Sequence, residues 1–209
     1  MNINTTYTKI ITDEDLMETV QHGSNLYPFQ FYYENLSVFD FNCVEWHWHT
    51  ELEFIYIESG TVTLWIGEDQ FNLTEGNGIF INTKVIHRLY SPSKALIPNF
   101  VFMPSFIAPC DSLIYQKYIL PIISYPLPFL IFHKEVYWQA KVLSIMRQII
   151  SAQDSVSSKE LLTSSLLQNL WLEIFENTDI SYQEEHKDHS TASQARLQLM
   201  MQFIHLNYS

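Results

Sequence analysis

The chain has 209 residues, of which 47% are hydrophobic and 15% aromatic, enough for one domain with a substantial core and part of another. Its 23 acidic and 11 basic residues give a net charge of −12, so by itself it is a poor DNA binder, because nucleic-acid affinity draws on Lys and Arg. No run reaches the ~20 apolar residues of a membrane span, no basic-then-apolar leader opens the chain, and Cys43 and Cys110 are too few for a disulfide framework; a cytoplasmic protein with no membrane partner is expected.

In chain order, "DEDLMETVQH" (13–22) reads as a short acidic helix ended by Gly23. From about 27 to 107, short runs dense in aromatic and β-branched residues are separated by turn formers: "FQFYYE", "LEFIYIE", "TVTLWIG", "QFNL", "GIFIN", "HRLY" and "NFVFMP". Within them "TVTLWIGEDQFNL" reads as a hairpin, with Val62, Leu64 and Ile66 on one face and Gly67 to Asp69 in the turn. Such a series predicts an antiparallel sandwich or small barrel, so the chain is mainly β with C-terminal helices. "YILPIISYPLPFLIF" (118–132), broken by prolines, reads as packed irregular chain.

After about 133 the apolar period becomes helical. Trp138, Val142, Ile145 and Ile149 form one series and Val136, Ala140 and Leu143 another. A second helix follows, with Ser157 and Glu160 spaced as a capping box and a stripe of Leu162, Leu166, Leu167, Leu170, Trp171 and Ile174. The two helices, at 134–150 and 158–177, either pack on the sheet or form a homodimer interface. "DISYQEEHKDHS" (179–190) reads as a polar linker. A last helix over 191–209 carries Leu197, Met200, Ile204 and Tyr208 on one side. It cannot bury that face alone, so the chain reads as cut there.

The chemistry concentrates in "HWHTELEFIYIESG" (47–60). On a strand, His47 and His49 point to one side, and Glu53 opens the next strand on a face shared with Ile55 and Ile57. His87 could bring a third imidazole from a neighbouring strand. Three imidazoles and one carboxylate suit a divalent Zn, Ni, Mn or Fe ion. The same side chains could instead be the polar wall of an effector pocket, and Glu51 competes with Glu53 as the acid. Tyr32, Tyr33 and Trp48 are pocket-wall or core residues.

"HWHTELEFIYIESG" resembles the first cupin motif, and "GNGIFINTKVIHRLY" resembles the second, except that Asn82-Thr83-Lys84 replaces the usual Pro-x-Gly and Ser91 the usual Asn. The resemblance implies a jelly-roll β-barrel with His47, His49, Glu53 and His87 as metal ligands. Together with "HGSNLYPFQFYYENL", "FVFMPSF" and "RLQLMMQFIHLNYS", these motifs resemble an AraC-type transcriptional regulator over nearly the whole chain. That implies a cupin-like effector-sensing barrel over 1–110, a helical dimerisation segment over 111–178, the linker over 179–190, and over 191–209 the first helix of a DNA-binding domain whose helix-turn-helix units are missing here. A small-molecule effector, a divalent metal, a second copy of the chain, and promoter DNA through the missing domain are the implied partners. A metal-dependent cupin enzyme, an oxygenase or isomerase, is the alternative.

Overall fold

Alternating side chains build two sheets whose inner faces meet. The computed structural model describes residues 8–124, 127–155 and 157–178. The expected linker at 179–190 and helix at 191–209 lie outside the described residues. The strands are β1 (Phe29–Asn35), β2 (Cys43–His47), β3 (Leu52–Tyr56), β4 (Thr61–Ile66), β5 (Asp69–Thr74), β6 (Gly78–Ile81), β7 (His87–Tyr90), β8 (Leu96–Phe102) and β9 (Phe129–Phe132). One sheet has the order β1-β8-β3-β6-β9 and the other β2-β7-β4-β5. All pairings are antiparallel, and the first strand pairs with the eighth, the second with the seventh, the third with the sixth and the fourth with the fifth. That folded-over pairing is the jelly roll. The β4–β5 turn is tighter than expected, because Asp69 already pairs with Ile66.

The five-stranded sheet is buried on both faces, which explains runs as continuously apolar as "GIFI". Ile55, Ile79, Ile81 and Ile97 point inward and meet Val62, Leu64, Ile66 and Leu89 of the other sheet. Phe54, Phe80, Phe100, Phe102 and Phe132 point outward into a second core, with the Phe54 and Phe100 rings stacked at 5.3 Å.

Helices α2 (Tyr137–Ala152) and α3 (Lys159–Asn177) close that second core. From α2 come Val142, Leu143, Met146 and Ile149; from α3 come Leu167, Leu170, Trp171 and Ile174. The Trp171 indole N–H donates to the Tyr118 carbonyl at 2.9 Å, fixing α3 over the sheet. Val136 and Leu162, expected on apolar stripes, are instead exposed. The expected capping box does not form: Ser158 is the N-cap residue, without a side-chain cap bond. No helix among the described residues is long and apolar enough to cross a membrane.

Two further expectations are corrected. No helix forms over 13–22. The Asp13 carboxylate accepts from the backbone N–H of Asp15 at 3.0 Å and Met17 at 2.8 Å, a local alternative to helical bonding. Thr12 then bridges to Glu18 and Met17 to Trp48, so the segment becomes an extended strap on the end of β2. The stretch 118–132 is not irregular throughout: a π-helical turn (Tyr115–Ile119) leads into α1 (Leu120–Ile123), and β9 adds a sheet edge from within the segment assigned to helices.

Candidate metal centre

Cross-strand pairing brings the imidazoles together. His47 ends β2 and pairs with His87, which begins β7, beside a register shift in β2. Their ring centroids are 4.1 Å apart. His49 follows in the β2–β3 connection, its ring 5.4 Å from that of His87. One nitrogen from each of His47, His49 and His87 lies within 4.8 Å of the other two. Glu53, on the inner face of β3, reaches the same point, with Oε2 3.3 Å from His49 Nε2 and 3.1 Å from His87 Nε2. All four side chains are buried. Glu51 stays outside the cluster, 3.9 Å from His49 Nδ1.

Each ring is held in the same way. Nδ1 lies 2.8 Å from the Glu45 carbonyl in His47, 3.2 Å from the Glu51 carbonyl in His49 and 2.9 Å from the Val85 carbonyl in His87. A carbonyl only accepts, so Nδ1 carries a proton; Nε2 then presents a lone pair when the ring is neutral, whereas His49 Nε2 bonds the Glu53 carboxylate when protonated. Metal-ligating histidines are oriented by such bonds. His87 Nε2 is fully buried and has no hydrogen-bond partner despite its proximity to Glu53. A carboxylate this close is favourable only when positive charge lies at Nε2, a proton or a metal cation. The residues therefore fit a divalent transition metal.

Burial pushes the His47 pKa well below the ordinary imidazole value, and the neighbouring His87 and His49 push it the same way. Burial acts on His49 in that direction too, but the Glu53 hydrogen bond and charge outweigh it and the pKa is raised. Burial opposes ionisation of Glu53, yet His49 and His87 hold its carboxyl well below the usual range.

Beside the centre is a cavity of about 30 Å³. Tyr32 lines it, whereas Tyr33 hydrogen-bonds Glu58 elsewhere and the Trp48 indole donates to the Asp15 carbonyl at 2.8 Å. Glu18, His22, Glu34 and Asn99 also line it, and none of them was singled out from the sequence. Two signals were present: Tyr32 and Glu34 are two apart on one strand, and Asn99 interrupts the apolar run "LIPNFVF". His22 had none, since its place depends on the strap. Its Nδ1 lies 2.9 Å from the Tyr32 hydroxyl and its ring 5.7 Å from that of His49.

Residues 40–175 match the model of a family described as the AraC-like ligand binding domain. Over 203 residues the chain is 24% identical to YdeC of Bacillus subtilis, described as an uncharacterized HTH-type transcriptional regulator, covering 95% of this chain and 68% of that protein. Among solved structures, apo ToxT from Vibrio cholerae is similar with a TM-score of 0.48 and 11% identity, over 75% of this chain and 58% of that one. A cupin superfamily protein from Desulfitobacterium hafniense is similar with a TM-score of 0.35 and 12% identity, over 39% of this chain and 71% of that one.

Proposed function

Given that the chain belongs to the AraC-like ligand-binding domain family, we propose that it is the sensing and dimerisation part of a transcription regulator. The observation that carries the sensing role is the convergence of His47, His49 and His87, each ring fixed through Nδ1, on the Glu53 carboxylate. In this reading the four side chains hold one divalent Zn, Ni, Mn or Fe ion, and the adjoining cavity receives a small effector. A bound ion would supply a fixed positive charge inside the barrel; the protein would supply the orientation and burial of its ligands.

The helices at 134–150 and 158–177 pair two copies, and promoter DNA is bound by a helix-turn-helix domain of the longer regulator. Occupancy of the barrel changes DNA affinity only as far as it favours one arrangement of the dimer over another. A metal-dependent oxygenase or isomerase would use the same ligands, but the family match favours regulation over catalysis, and the protein is proposed not to be an enzyme.

The test is thermal unfolding of the metal-stripped chain with each of the four ions added. A midpoint that rises with ion concentration is expected, because a ligand bound only by the native state stabilises it by mass action. His49→Ala should abolish the rise. A midpoint insensitive to all four ions would overturn the metal reading.

A further inference from the structure

The wall facing the three imidazoles has a chemistry of its own, and we propose that it receives the cationic head group of a small amine. This inference rests on the sensing role proposed above and specifies its effector. Tyr32 and Glu34 of β1 and Asn99 of β8 face inward on alternate positions, and the strap adds Glu18 and His22. Asn99 Nδ2 donates to Glu34 Oε2 at 2.9 Å, which fixes that carboxyl in the wall.

His22 supplies the decisive detail. It is 6% exposed, and its Nε2 has no hydrogen-bond partner although Glu18 Oε2 lies 3.3 Å away. Either group can donate across the Nδ1–Tyr32 contact; in the tautomer with the proton on Nδ1, Nε2 and the Glu18 carboxylate are two acceptors facing each other at the pocket edge. A group that donates to both resolves that opposition, and an ammonium has three such protons.

Charge excludes the opposite class. Glu18, Glu34 and Glu53 contribute three carboxyl groups to the lining, which among the described residues contains neither Lys nor Arg. Three carboxyl groups in one lining favour an ammonium over an anion. An organic carboxylate or phosphate would be buried there without a cationic partner, which is costly. Size limits the head group: one water needs ~10–15 Å³, so a cavity of about 30 Å³ admits roughly two such units. Ile10, Leu89 and Val101 offer apolar surface to a short alkyl substituent.

The test uses calorimetric titration and thermal unfolding of the 209-residue chain, before and after loading with zinc. Methylammonium and ethylammonium are compared with acetate and propionate at matched neutral pH and ionic strength. Amines should raise the unfolding midpoint and bind in both metal states, and the carboxylates should do neither. Glu34→Gln, which keeps the shape, and His22→Ala should each weaken amine binding at least ~10-fold with the circular dichroism spectrum unchanged. Carboxylates binding as well as amines, or amines binding both variants as tightly as the parent, would overturn the proposal. A zinc response without any amine response removes the amine and leaves the sensing role; no response to either removes both.

Discussion

Oε2 of Glu53 lies 3.1 Å from Nε2 of His87, yet no hydrogen bond joins them. The contact becomes favourable when positive charge, a proton on Nε2 or a metal cation, lies between the two atoms. Replacing Glu53 by Gln keeps the size and removes the charge. Even outer partners of metal ligands change affinity roughly 10–100-fold, so Glu53→Gln should weaken zinc binding by at least ~10-fold, read by calorimetric titration. Undiminished affinity would show that Glu53 is not a ligand.

In the metal-free protein, two imidazoles of one pocket titrate in opposite directions. His47 is lowered, so as pH falls below ~6.5 the unfolded chain takes up a proton that the folded chain refuses, and stability is lost. His49 is raised, so its contribution is complete below ~6.5 and lost as pH rises through the raised value. Glu53 is lowered; its contribution holds above ~4.5 and disappears only at more acidic pH, as the folded-state value is crossed. Proton NMR of the imidazole Hε1 resonances should place the His49 midpoint above the ordinary value and that of His47 well below it. An ordinary midpoint for His47 would contradict its burial as a neutral ring.

The cluster was legible because the two cupin-like motifs carry all four residues; the two-residue period fixed only the shared side of His47 and His49 and the inward face of Glu53, and His87 was placed by its motif. The role of the helices was not legible. Runs such as Gly78–Ile81 have no polar face, and only the structure shows Ile79 and Ile81 facing the inner core while Phe80 faces α3, its ring 5.9 Å from Trp171. The strap was misread because Asp13, an ordinary first-turn residue for a helix, instead bonds the backbone N–H groups that a helix would use. With the strap went His22 and Glu18, whose places depend on the backbone contacts of Met17 and Glu18 with Trp48.

Lys84 adopts a left-handed conformation, with φ of 60°, where the cupin motif carries glycine. Its N–H donates to the His49 carbonyl at 2.7 Å, so this turn ties the β6–β7 connection to the histidine cluster. A side chain there costs about 1–2 kcal/mol, and glycine loses about 0.5–1 kcal/mol of that through unfolded-state entropy. Lys84→Gly should therefore stabilise the protein by about 0.5–1 kcal/mol in urea unfolding, with metal affinity unchanged. Destabilisation would mean that the lysine side chain makes a contribution larger than the strain.

The proposed dimer makes a separate demand on α3. One face of this helix is committed to the second core through Leu167, Leu170 and Ile174, so an interface must use what remains. Leu161 and Leu172 remain, 77% and 52% exposed. Three turns of helix apart, they point in nearly the same direction. Covering both in a second copy would remove apolar surface from water without disturbing the barrel. Sedimentation velocity should show a dimer for the parent chain and a monomer for the Leu161→Glu, Leu172→Glu double variant. The double variant should keep its zinc-dependent rise in unfolding midpoint, since neither leucine lines the pocket. A double variant that remains dimeric would move the interface off this stripe, and a monomeric parent would remove dimerisation from the proposed function.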